Sequence, residues 1–316
     1  MNNSQKEIAK LVVGMRNAFQ AGENSMAWAR ANVSPNNTTL GTLISYDLQS
    51  GQYVERVRKN PEYQAKWCEQ LASILRRYIS GGDRILEAGV GEATTLVGVM
   101  KSLSIPNLDF YGFDLSWSRI MIANKWVDEN GLKSNLFIGD LFNIPIEDDS
   151  IDVVYTSHSL EPNRFREESA IRELMRVARK AVVLIEPYYE MASKTAQERM
   201  DYHGYVRGLK SAAQNLGLQI VEDRLLEVMD HEANPSGVLV LIKPNHLKMR
   251  DSVVKWRDPI SGVSLRDKSD HFFADQVGIG YPVLKGIPCL RSEHAIICSK
   301  IETDDYGLPQ ELINRS

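Results

Sequence analysis

Apolar residues recur at helical spacing over residues 5–20, where Ile8, Leu11, Val12, Met15 and Phe19 share one face. The same period returns over 62–79 through Tyr63, Trp67, Leu71, Leu75 and Tyr78, and the polar stretch 32–42 between them reads as a loop. The first 80 residues are therefore expected to be helical. At Gly81-Gly82 the pattern changes. Residues 84–88 have the short apolar run of a buried strand, a glycine turn follows, and Leu96, Val97, Met100 and Leu103 then mark one helical face. Residues 108–113, 135–138, 151–155 and 181–185 are further short apolar strands. They alternate with helical segments such as 167–178, where Ile171, Leu174, Met175 and Ala178 form a stripe. Alternation of this kind predicts a parallel, doubly wound α/β sheet.

The end of that sheet is more diagnostic than its start. After a helix expected at about 203–216 come two strands, 218–229 and 237–242, joined by only residues 230–236. A parallel crossover needs a dozen or more residues, so this last pair must be antiparallel. The expected architecture is a seven-stranded sheet with an antiparallel last strand over 81–245, preceded by a helical cap over 1–80. Residues 246–316, with glycine, proline and short apolar bursts but no helical period, are expected to form a small β-rich appendage.

At 316 residues, with 43% hydrophobic and 25% charged positions, the chain can bury a full core and is not disordered as a whole. A net charge of -4 gives no global attraction to a phosphate backbone, so a nucleic-acid partner is disfavoured without a local basic patch. The longest aliphatic runs, 181–185 and 238–242, fall far short of the roughly 20 residues of a bilayer span. The first residues lack the basic and long apolar regions of a secretory signal, and the chain reads as cytoplasmic. Cys68, Cys289 and Cys298 contain no CxxC, so they build neither a disulfide framework nor a four-thiolate zinc site.

The candidate chemistry lies at the strand ends. In residues 85–94, Glu87 stands two positions before the G-x-G of Gly89 and Gly91, at a strand-to-helix turn where glycines allow close backbone approach to a ligand. The third glycine of a dinucleotide fingerprint would fall at Thr94 and is missing. A carboxylate at Glu87 would repel a pyrophosphate but suits an ammonium. Asp114 ends the second strand 23 positions after Gly91, near the offset at which an acid bonds ribose hydroxyls. Asp140 follows the third strand in Gly139-Asp140-Leu141-Phe142. Singly, each has an ordinary role as a turn or capping residue. Three carboxylates at three successive strand ends argue for a ligand.

Together with the antiparallel closure, residues 84–244 resemble the class I S-adenosylmethionine-dependent methyltransferases, which implies a Rossmann-like fold and S-adenosyl-L-methionine as cofactor. The resemblance implies that Glu87 meets the methionine ammonium beside the turn of Gly89 and Gly91, Asp114 the ribose and Asp140 the adenine amine, with Ala88, Leu115 and Leu141 also in the cofactor site. The loop from Ser157 to Pro162 would line the passage between sulfur and acceptor. Residues 45–53 resemble the family's upstream segment, which carries Gln49 and Tyr53 into the cofactor site. If the acceptor is a hydroxyl, a base must take its proton. His158 is the first candidate, with Glu161, Glu186 and His203 in reserve, and Tyr188, Tyr189, Tyr202 and His203 are expected to shape the acceptor pocket.

Residues 281–290 resemble the closing half of a small zinc ribbon found fused to, or partnering, methyltransferases. Its C-P-x-C is replaced here by Asp258-Pro259-Ile260-Ser261. No metal is therefore expected, and the segment should be held by apolar packing alone. The expected activity is methyl transfer to oxygen or nitrogen of a small polar metabolite, such as a sugar or glycan precursor, with a homo-oligomer left open. The alternatives are an RNA or protein methyltransferase, which needs a basic exposed groove, and a non-catalytic cofactor-binding scaffold.

Overall fold

The computed structural model describes residues 3–229, 233–243, 251 and 253–300. Within them the chain opens with α1 (Asn3–Gln20), α2 (Ser25–Asn32), α3 (Thr39–Leu48), α4 (Gln52–Lys59) and α5 (Pro61–Leu75). Capping sets these starts. The Asn24 side chain accepts the Ala27 amide at 2.9 Å, the Thr38 hydroxyl accepts that of Gly41 at 3.1 Å, and Pro61 opens α5. The Thr38 cap is why the stretch expected as a loop to residue 42 is helical from Thr39.

Next come β1 (Arg84–Ala88), α6 (Thr94–Ser102), β2 (Asp109–Asp114), α7 (Trp117–Glu129), β3 (Asn135–Ile138) and β4 (Ile151–Ser157). They are followed by α8 (Glu167–Val177), β5 (Ala178–Pro187), α9 (Lys194–His203), α10 (Leu209–Asn215), β6 (Gln219–Leu225) and β7 (Ser236–Ile242). The seven strands lie in the order β3-β2-β1-β4-β5-β7-β6, and β7 runs antiparallel to both of its neighbours. This is the α/β sheet expected from the short 230–236 connection. Alternate residues of the central strands face opposite layers: Leu86, Val154 and Val182 pack with α8, while Ile85, Val153 and Val183 pack with α5 and α6. The strand order reverses between β1 and β4, which opens a crevice at their carboxyl ends.

Two expectations are corrected. The helix placed at 203–216 is the end of α9 and the separate α10, because Gly204 and Gly208 adopt left-handed φ values of 67° and 70° and turn the chain between them. The strand placed at 218–229 stops as β6 at Leu225, and residues 230–232 lie outside the described residues.

The chain continues as β8 (Trp256–Arg257), β9 (Ser264–Asp267), β10 (His271–Ala274), β11 (Ile279–Leu284), β12 (Ile287–Pro288) and β13 (Ile296–Ile297), an antiparallel sheet. It docks on the β3 edge of the main sheet: the Leu290 amide donates to the Ile138 carbonyl at 3.0 Å, and Trp256 meets Phe137 edge-on at 5.1 Å. Apolar packing is only part of what holds it. Asp258, 1% exposed, accepts the amides of Ile260 and Ser261 at 3.1 Å, the Ser261 hydroxyl, and the Tyr281 hydroxyl at 2.6 Å. Among the described residues no group of three or more His, Cys, Asp or Glu could hold a metal, and no helix is long and apolar enough to cross a membrane.

Candidate active site

The carboxyl ends of β1, β2 and β4 and the turn after β3 open into one cavity of about 440 Å3, which α3 and α4 also line. Gly89 and Gly91 form its floor with φ values of 75° and 55°. A Cβ on Gly89 would stand 2.3 Å from the Ser159 Cβ, and one on Gly91 2.4 Å from Arg119 Nη2, so a side chain at 89 would clash and one at 91 would be strained by its φ and displace the guanidinium. The Asp114 carboxylate is oriented by the Gly91 amide at 3.1 Å and the Ser116 amide at 2.9 Å. Ser116 itself caps α7, accepting the Arg119 amide at 3.1 Å, which frees Asp114 from that role. Asp140 Oδ1 accepts the Phe142 amide at 2.9 Å and shapes the turn whose Leu141 and Phe142 line the cavity with Leu115 and Ser157.

Glu87 is buried beneath this turn, and the Tyr155 hydroxyl donates to it at 2.7 Å. Burial pushes its pKa up to about 8, against the lowering effect of that hydrogen bond. Near pH 7 the Glu87 carboxyl thus favours the neutral acid.

The cap is fastened by a residue that sequence reading passed over. Glu92, 1% exposed, accepts the Gly51 and Val54 amides, each at 2.8 Å, and so caps α4 from the glycine turn of β1. Ser116 donates to Asp47 Oδ1 at 2.6 Å and ties α7 to α3. Between them the Arg119 guanidinium stands over the rings of Tyr46 and Tyr53, at 5.1 and 4.7 Å. The only sequence signal for Glu92 was its place beside Gly91, where an exposed turn residue was as good a reading.

In the loop after β4, His158, with φ of 57°, has both ring nitrogens engaged: Nδ1 with Glu161 and Nε2 with Ser236 Oγ at 2.8 Å. Glu161, 7% exposed, lines the cavity and also accepts from Asn234 Nδ2 at 3.3 Å. Burial pushes the Tyr205 phenol up, and the neighbouring Glu161 charge adds to it. Behind the loop, Glu186 accepts the Ser159 and Leu160 amides at 3.1 Å; burial raises its pKa to about 7, with His158 opposing.

Several expected residues stand elsewhere. The Ala88 carbonyl accepts the Ser159 hydroxyl at 2.6 Å below the cavity, and Gln49 folds back onto the Ser45 carbonyl at 3.2 Å. His203 stacks on Tyr205 at 5.3 Å, Tyr188 packs over Gly237, Tyr189 donates to Asp201 at 3.0 Å, and Tyr202 is exposed. None of these lines the cavity, whereas Arg199 and Tyr205 from the same region do.

Residues 85–181 match the family model described as a methyltransferase domain. This segment is a methyltransferase domain. The match runs from β1 into β5 and takes in Glu87, Gly89, Gly91, Asp114, Asp140, His158 and Glu161. The protein is a methyltransferase. Among solved structures the methyltransferase is similar to a candidate sarcosine dimethylglycine methyltransferase from Galdieria sulphuraria, at 14% identity and a TM-score of 0.47 over 59% of this chain and 88% of that one. It is similar to a chain of the complex between the Haloferax volcanii Trm112 methyltransferase activator and a candidate methyltransferase, at 16% identity and 0.48 over 62% and 94%. A third likeness is to a SAM-dependent methyltransferase from Aquifex aeolicus, at 19% identity and 0.39 over 54% and 87%. No curated protein matches the sequence significantly.

Proposed function

We propose that the methyltransferase methylates an oxygen or nitrogen of a small polar metabolite, such as a sugar or glycan precursor, with Glu161 as the general base. One observation carries this reading: a single cavity of about 440 Å3, of the size small ligands use, is lined by Glu87, Asp114 and Asp140 and also by Glu161. The glycine floor, where a Cβ at 89 would clash with Ser159, and the acceptors left on Asp114 and Asp140, fit the cofactor. Glu87 would take its ammonium, Asp114 its ribose diol, and Asp140 its exocyclic amine, with Leu115 and Leu141 beside the adenine. When bound, the cofactor supplies a methyl group on a sulfonium.

The protein's own share is positioning, exclusion of water and removal of one proton. The order Ser236, His158, Glu161 looks like a nucleophile triad, but Ser236 is fully buried and cannot meet a ligand. His158 and Glu161 both line the cavity, but both ring nitrogens of His158 are engaged, so Glu161 is the group left to take a proton and His158 positions it. The cap over the cavity, with Tyr46 and Tyr205 among its lining, supports a small hydroxylic or amine acceptor rather than a polymer.

The test is a panel of small alcohols, sugars and amines incubated with methyl-labelled cofactor, with transfer followed for the wild type and Glu161→Gln. Acceptor-dependent transfer should drop about 100-fold or more in the variant. Labelling of RNA or protein, with no small acceptor labelled, would reject the small-metabolite reading.

A further inference from the structure

Arg119 lies on α7 with 8% of its surface exposed, and its guanidinium lines the cavity. Nη1 is 3.8 Å from Asp114 Oδ2, beyond hydrogen-bond length, and Nε has no partner. The guanidinium donates no hydrogen bond to any described residue. The faces of Tyr46 and Tyr53 and the nearby charges of Asp114 and Glu92 offset its positive charge. They supply no acceptor in the plane of its N–H groups, and a guanidinium buried in this way is complete only when a planar acceptor meets its fork.

The position of Arg119 narrows that acceptor. Nη2 abuts Gly91, where an added Cβ would come within 2.4 Å, while Glu87 precedes Gly89 in the same turn. A carboxyl group and a guanidinium thus flank one pair of glycines, and the adenosine half of the cofactor already has Asp114 and Asp140. We propose that Arg119 receives the α-carboxylate of the methionine moiety, so that Glu87 and Arg119 together form a receptor for a zwitterion. This rests on the cofactor placement given above. Lys would keep the charge at this position but not the fork.

Calorimetry on the full chain tests it, with S-adenosylmethionine and its decarboxylated analogue as the two probes. The wild type should bind the intact cofactor about 10- to 100-fold more tightly than the analogue, the usual worth of a charge-assisted contact. In Arg119→Gln the two should bind about equally, with affinity for the analogue kept, and Arg119→Lys should fall between. Equal affinity of the wild type for both probes overturns the assignment even if the variants fail to fold, and so does a loss in Arg119→Gln shared equally by both. Absence of any binding to the wild type would instead reject the cofactor placement itself, and the assignment with it.

Discussion

Glu87 shows how burial turns a binding residue into a pH-dependent one. Its pKa is about 8 in the folded protein against an ordinary value of 4.5, so the folded state holds a proton that the unfolded chain releases. Its contribution to stability is therefore full below pH 4.5 and is lost as pH rises towards 8. An ammonium ligand reverses the preference and favours the ionised carboxylate. Binding of S-adenosylhomocysteine at pH 7 should then release about one proton, and affinity should rise between about pH 6 and 8. Calorimetry in two buffers of different ionisation enthalpy reads that proton directly. Glu186 titrates in the same window, so Glu87→Gln is the control: if it releases as many protons as the wild type, Glu87 is not the group. A second residue-scale consequence concerns His158. If Ser236 donates to Nε2, the neutral ring must carry its proton on Nδ1 and give it to Glu161. Nitrogen NMR should find the Nδ1-protonated form in the wild type and also in Ser236→Ala, where the Glu161 carboxylate still accepts that proton. An Nε2-protonated wild type would contradict the positioning role. At this scale the sequence was legible where chemistry is local: Glu87, Gly89, Gly91, Asp114 and Asp140 lie within short turns. Arg119 and Gln49 were misjudged or missed because their roles depend on which way a helix faces.

Among the elements, the strands were readable because burial on both faces leaves short, continuous apolar runs, and 84–88 and 135–138 coincide with β1 and β3. The cap was less readable. Its helices α2, α3 and α4 are only 8, 10 and 8 residues long, and α4 has no side-chain cap of its own. Its N-terminus is held by Glu92, about forty positions along the chain, and no local pattern announces such a contact. That contact joins the floor of the cofactor turn to the helix that carries Tyr53. Removing it in Glu92→Ala leaves two buried amides without acceptors, and a lost helix cap costs about 0.5 to 2 kcal/mol. Hydrogen exchange at the Gly51 and Val54 amides should quicken about 2- to 30-fold, while the β1 and β4 amides keep their protection. Cofactor affinity should fall in step. Unchanged exchange at those two amides would mean that the cap is held by other contacts.

For the whole molecule, the question is what the C-terminal sheet does for the cofactor site. β3 would otherwise be an open sheet edge, and Ile138, its last residue, immediately precedes the Gly139-Asp140 turn. The C-terminal chain meets this region from two sides: Leu290 bonds Ile138, while Arg257 donates to the Pro145 carbonyl at 3.1 Å and Asn143 donates to the Pro259 carbonyl. The turn that supplies Pro259 is organised by Asp258, whose burial raises its pKa but whose bonds from Ser261, Tyr281 and two turn amides hold it below the ordinary 3.8. Its stabilising effect is present above pH 3.8 and is lost as pH falls through the depressed value. Sequence pointed to these positions through the missing C-P-x-C but suggested only apolar packing, because a carboxylate hub is recognisable only once its donors converge. Asp258→Ala should cost about 3 kcal/mol or more, at roughly 2 to 4 °C of melting temperature per kcal/mol. A chelator should leave the melting temperature of the wild type unchanged. Well below its own melting point the variant should also bind S-adenosylhomocysteine more weakly, since the adenine turn loses its brace on the Pro259 side. If affinity survives while stability falls, the C-terminal sheet protects the β3 edge without shaping the site.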